Sequence, residues 1–136
     1  GPRLMPAMKQ GAFAPRPGHK GGRKPRQKPG EMNGAERLRA EELDAMLVRG
    51  EIAGWRFQPF RLRLAEENCY YAPGFLVTPH EGPLIVEEVK GHQEAAALIR
   101  IKVAASIFPF IFVRLTRRTK KEGGGWERHV YKGWSD

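Results

Sequence analysis

Residues 70–91 read YYAPGFLVTPHEGPLIVEEVKG, and the way this stretch folds decides the architecture of the chain. Residues 70–78 are rich in Tyr, Phe, Leu and Val and predict a strand; residues 79–83, PHEGP, predict a turn; residues 84–90 predict a returning strand. Residues two apart on a strand project from the same face, so Val86, Glu88 and Lys90 share one side while Ile85, Glu87 and Val89 share the other. An acid and an ammonium therefore point together at the end of this strand. Such a pair can be a structural ion pair, or a metal ligand beside a cation that positions or deprotonates a water. The triplet alone is unspecific.

Working outward, Asn33 has the chemistry of a helix N-cap, good helix formers run on to Val48, and Gly50 is a stop signal. The segment WRFQPFRLRLAEE alternates, with Phe60, Leu62 and Leu64 opposite Arg61 and Arg63, and predicts one or two short strands broken at Pro59. After Gly91, helical spacing of Ala97, Leu98, Ile101, Ala104 and Ala105 predicts a second helix over residues 93–108. Residues 110–116 are strongly β-forming, 120–125 form a loop, and 126–131 return as a hairpin partner. The predicted order is helix, three strands, helix, two strands: an α/β domain with a mixed sheet flanked by two helices.

The formal net charge is +9, from 24 Lys and Arg against 15 Asp and Glu. Residues 1–30 hold eight of those cations, Arg23, Lys24, Arg26 and Lys28 among them, and no acids, so the remainder is nearly neutral. Rich in Gly and Pro with little to bury, this segment predicts a disordered basic arm, with the folded domain over residues 31–136. A cationic arm suits a polyanion, because each neutralised phosphate releases condensed counterions. Nucleic acid is the favoured partner; an anionic membrane surface is the weaker one because the arm has no amphipathic apolar face. A purely solubilising extension is the bland alternative. No apolar run is long enough to span a bilayer, which predicts a soluble, intracellular protein. Cys69 is the only cysteine, so neither an internal disulfide nor a zinc module is supported. Gly1-Pro2 has the form a protease leaves after removing a purification tag and is set aside.

On the first helix Met32, Glu36, Ala40, Leu43 and Leu47 fall on one stripe, and Glu36 is its only charge. A carboxylate on a buried face needs a cation, a proton or an edge open to water; near a helix start an acid is also favourable in its own right. Arg117, Arg118, Lys120 and Lys121 cluster at the predicted hairpin tip, where they can grip phosphates or simply protect an edge. Arg100 and Lys102 lie roughly 200° apart on the second helix, so at most one faces a given site.

A helix-borne Glu36, then Pro73-Gly74 leading an apolar strand, then a turn and a strand ending Glu88-Val89-Lys90, then a helix and a strand, resembles the PD-(D/E)XK nuclease superfamily. Over residues 32–112, and in EVKG and IKVAA in particular, the chain is similar to small phage-encoded nucleases related to Holliday-junction resolvases. The resemblance implies a restriction-endonuclease-like core and Mg²⁺- or Mn²⁺-dependent cleavage of DNA in the cytoplasm of a phage host, with branched DNA as a narrower reading. Carried over by position, Glu88 and the Val89 carbonyl would be metal ligands, Glu36 would order the metal or its waters, and Lys90 would orient or activate the attacking water. Lys102 of IKVAA would face the DNA. Two symmetric cuts would call for a homodimer.

Gly74 departs from the pattern, because it stands where the family has a metal-bridging Asp. The resemblance then implies weak metal binding and little or no cleavage. Three accounts stay open: an Asp-to-Gly change that silences a toxic nuclease, which the tag scar favours; a naturally degraded DNA-binding pseudonuclease; or an accidental resemblance in which Gly74 merely opens a strand. Glu87 or Glu81 standing in as ligand carries little weight, since Glu87 faces the wrong side and Glu81 sits in the turn.

Overall fold

The computed structural model describes residues 30–90 and 95–132. Helix α1 spans Gly34–Val48 and starts as its sequence predicts: the Asn33 side chain accepts the Glu36 N–H, and the Glu36 carboxylate accepts the Asn33 N–H in return. This reciprocal box satisfies two of the N–H groups that a helix start leaves unpaired. At the other end Gly50, with φ of +79°, donates to the Leu47 carbonyl and turns the chain away.

Strands β1 (Gly54–Phe57), β2 (Leu62–Ala65), β3 (Cys69–Tyr71), β4 (Phe75–Thr78) and β5 (Ile85–Lys90) follow. Helix α2 (Ala95–Ile107) then leads to β6 (Ile111–Arg117), one turn of 3₁₀ helix (Lys120–Glu122) and β7 (Trp126–Tyr131). The main sheet has the order β1-β4-β5-β6-β7. Its β5–β6 pair is parallel and bridged by α2, and its other pairs are antiparallel. A mixed sheet flanked by two helices is what the sequence predicts.

The predicted strand over 70–78 is instead two strands. Residues 72–74 break it, β3 pairs with β2 in a separate two-stranded sheet, and β4 joins the main sheet between β1 and β5. The order is therefore helix, five strands, helix, two strands. Local propensity is high on both sides of Pro73-Gly74, but which strand each half pairs with is decided by distant residues.

Three layers result. Ala40 and Leu43 of α1 pack with Ile52, Phe75, Val77, Val89, Val113 and Leu115 on one face of the main sheet. Ile101, Ala104 and Ala105 of α2 pack on the other face with Leu76, Val86 and Phe112, together with Tyr71 of the small sheet and Phe60 beside it. Leu43, Phe75, Val86, Val113 and Phe112 are wholly buried, so the main sheet is covered on both sides. Glu88 belongs to the Val86 side, under α2 and the small sheet; Glu87 belongs to the α1 side.

Candidate functional site

The alternation of β5 places Glu88 and Lys90 together at the strand's C-terminal end, as predicted. Lys90 Nζ lies 3.4 Å from Glu88 Oε2, and the two side chains keep 31% and 17% of their exposure, so the pair is sheltered but reachable. Glu88 Oε1 accepts the Tyr71 hydroxyl at 2.8 Å and the Gly74 backbone N–H at 3.2 Å. Burial pushes the Glu88 carboxyl above its ordinary range, and the Lys90 charge and these hydrogen bonds offset only part of that. Burial, with the neighbouring Glu88 charge, pushes the Tyr71 phenol well above its ordinary value, so its O–H remains a donor.

Gly74 sits directly against this carboxylate, and its carbonyl accepts the Gln58 N–H at 2.7 Å. Its φ is not in the left-handed region. A Cβ built there would lie 3.5 Å from the Glu87 carbonyl oxygen and 3.9 Å from Glu88 Oε1, both ordinary contacts. Neither backbone conformation nor space requires glycine at this position. A Cβ at 74 would lie within 4 Å of the Glu88 carboxylate.

Around the pair a cleft of about 460 Å³ opens between the β2–β3 sheet and α2, bordered by Tyr70, Tyr71, Glu88, Lys90 and Arg100. The basic cluster lies toward the same end of the sheet. Lys90 pairs with Thr116 in register, and Arg117 and Arg118 come next along the chain; both are exposed, as are Lys120 and Lys121 on the 3₁₀ turn. His80, by contrast, is tied to the Gly50 carbonyl at 2.8 Å.

Two candidates stand elsewhere. Glu36 is committed to the α1 capping box, and α1 packs on the face of the sheet opposite Glu88. Its position on the helical stripe reflects the helix start rather than a buried charge. Lys102 is exposed and does not border the cleft; Arg100, two residues earlier and so on the other side of α2, does. Arg23, Lys24, Arg26 and Lys28 lie outside the described residues.

Tyr71 was not predicted as a site residue, for a physical reason. On a continuous strand it would share a face with Phe75 and Val77, away from Glu88. The break at 72–74 turns it to the Glu88 side. A second polar network was also missed: Arg39 Nε and one terminal nitrogen clamp Glu87 at 2.8 and 2.7 Å on the back of β5. The other guanidinium nitrogen reaches Glu42 at 2.9 Å, and Glu42 also accepts Trp126 Nε1–H at 2.7 Å. Glu87 is thereby used up in structure.

For a divalent cation the residues present are a poor fit. The Glu88 carboxylate is already held by Tyr71, Gly74 and Lys90, burial favours its protonated form, and Gly74 offers no ligating side chain. Among the described residues no three His, Cys, Asp or Glu side chains gather as a metal site. No helix among them is long and apolar enough to cross a membrane. No protein-family model, curated protein or solved structure matches the chain.

Proposed function

We propose that the chain carries the scaffold of a metal-dependent DNA endonuclease of the PD-(D/E)XK kind, with a restriction-endonuclease-like core, in a form that Gly74 has silenced. The small phage nucleases related to Holliday-junction resolvases are the group it resembles, acting as homodimers on DNA. One observation carries this reading: position 74 lies against Glu88 of the Glu88–Lys90 pair, with its N–H 3.2 Å from Glu88 Oε1 and space for a Cβ 3.9 Å from the same oxygen. An Asp there would set a second carboxylate beside Glu88, the donor pair that a hard, oxygen-seeking cation such as Mg²⁺ or Mn²⁺ uses. The chain as it stands lacks that pair, and no metal-dependent step is assigned to it. What its residues do is hold a cationic, sheltered end of the sheet, where Lys90 can meet a backbone phosphate.

The test is Gly74→Asp. Without metal the two carboxylates repel, so the variant is less stable than the parent. With Mn²⁺ or Mg²⁺ it recovers, by about 2.7 kcal/mol at about 100 times its Kd, and nicks supercoiled plasmid or a four-way junction. The parent chain does neither. A variant that binds DNA but is neither stabilised by Mn²⁺ nor able to cut would overturn the nuclease reading. The second reading, a non-catalytic DNA-binding pseudonuclease, would then stand, and it is favoured by one observation: both Glu88 oxygens already have partners within the chain.

A further inference from the structure

Arg114 interrupts the apolar middle of β6. Val113 and Leu115 on either side of it are buried under α1, so strand alternation turns Arg114, with Phe112, to the opposite face of the sheet, the face of Glu88. In register it lies opposite Glu88 on β5 and opposite His129 on β7, with neighbouring strands about 4.8 Å apart. Glu88 nevertheless does not take the guanidinium: its oxygens are held by Tyr71, Gly74 and Lys90.

What Arg114 has instead is a phenol. Its Nη1 donates to the Tyr131 hydroxyl at 2.6 Å, and the guanidinium carbon lies 5.7 Å from the centroid of the same ring. Its Nε is buried and has no acceptor, the one buried side-chain nitrogen or oxygen so left among the described residues. Among those residues no carboxylate pairs with it. Arg39 is half-buried as well, and there the sequence supplies two carboxylates, Glu87 and Glu42. A sheltered guanidinium with no anion, and with one N–H shut away from water, burdens a fold unless a ligand answers it.

We infer that Arg114, braced by Tyr131, is a binding site for a phosphate group on the β6–β7 side of the Glu88–Lys90 pair. With Nη1 spent on Tyr131, the edge left is the one formed by Nε and Nη2, two N–H groups side by side as a phosphate requires. The side chain is half-buried, so the fork is sheltered without being sealed, and shelter strengthens a charge-assisted hydrogen bond. The neighbouring charges favour an anion here: Lys90 already answers Glu88, and the exposed His129 ring beside Arg114 brings a further N–H. Glu127, on the same face two residues before His129, is the opposing charge. A nucleic-acid backbone and a free phosphate share this chemistry. The choice of the backbone rests on the proposed function; the anion site rests on Arg114.

The full chain, with Gly74 in place and no metal added, is followed by ¹⁵N NMR of its arginine Nε–H groups and by fluorescence anisotropy with a labelled DNA duplex. Inorganic phosphate is titrated against chloride at constant ionic strength, and the duplex separately. The Arg114 Nε–H signal shifts and saturates. A shift with the duplex assigns the site to a backbone phosphate, and a shift with inorganic phosphate alone assigns it to a free phosphate group. Arg114→Gln weakens binding of that ligand about tenfold, the loss of one charge-assisted contact, and for the duplex lowers the steepness of the salt dependence by roughly 0.9. Tyr131→Phe, which keeps the ring and removes the brace, weakens binding without changing that slope, and Glu127→Gln strengthens binding. Arg128→Gln takes the same charge from the other face of β7, where Arg128 pairs with Leu115, and leaves affinity within about twofold. A signal that stays in place with both titrants, or a loss in Arg128→Gln as large as in Arg114→Gln, would overturn the assignment. The NMR titration uses the parent protein and so decides the matter even where Arg114→Gln does not fold. Metal and cleavage play no part in it: an inert Gly74→Asp variant would sink the nuclease reading and leave the Arg114 site standing, and the converse holds as well.

Discussion

At Glu88 burial and pairing pull in opposite directions, and burial wins. The folded carboxyl binds its proton more tightly than the unfolded one, so the associated stability is fully present below the unfolded pKa and is lost as pH rises through the folded value. Near neutral pH the ionised Glu88 is therefore a cost to the fold. Glu88→Gln keeps an oxygen to accept from Tyr71 and Gly74 and removes the charge; Lys90, partly exposed, can hydrate. The variant is expected to be more stable than the parent at neutral pH, with the difference shrinking on acidification into the ordinary carboxyl range. Urea midpoints across that interval measure it, and parallel curves for the two proteins would show that Glu88 does not titrate in the fold as described. The pairing of Glu88 with Lys90 was readable from the sequence because strand alternation is local. The partnership with Tyr71 was not, because it depends on a chain break whose effect is to swap faces. Glu36 shows the reverse problem: a stripe position suggested a functional charge, and the capping chemistry three residues from Asn33 explains it fully.

Among the elements, the clamp that matters most to the position of β5 lies on the side away from the cleft. Arg39 of α1 grips Glu87 of β5 with two hydrogen bonds, and the side chains are 12% and 3% exposed. Burial opposes the guanidinium's charge, but the hydrogen bonds and charge of Glu87, with help from Glu42, outweigh it and hold the Arg39 pKa above its ordinary value. Arg39→Met strands a buried carboxylate and is expected to cost about 3–5 kcal/mol. Replacing both partners, Arg39→Met with Glu87→Met, is expected to recover most of that loss, since an apolar pair has no charge to desolvate. Denaturant unfolding of the parent, the single and the double variant checks it, and a double variant no better than the single would mean the site cannot be repacked. Element boundaries were readable wherever local chemistry sets them: Asn33 and Gly50 frame α1, and Pro59 separates β1 from β2. The division of residues 70–78 was not, since both halves favour extended backbone and only their partners differ.

Across the whole molecule, the partition of charge was plain in the sequence, whereas the layering was not: which helix covers which face of the sheet follows from packing that no local pattern encodes. That layering decides what the charge can do. Lys90, Arg100 and the Arg117–Arg118 start of the hairpin connection come to one end of the sheet, while the eight cations of residues 1–30 precede the domain in sequence. If both groups hold phosphates, each contributes separately to the salt dependence of DNA binding, by about 0.9 in slope for every phosphate neutralised on duplex. Deleting residues 1–30 is thus expected to weaken duplex binding and flatten its salt dependence, and Arg117→Glu with Arg118→Glu to flatten it further by about 1.8. The two losses in slope add, because the charges act on different phosphates. Anisotropy titrations at several salt concentrations read the slopes directly. A deletion that leaves the slope unchanged would show that the segment makes no phosphate contacts, and would leave the sheet end and hairpin as the DNA-facing surface.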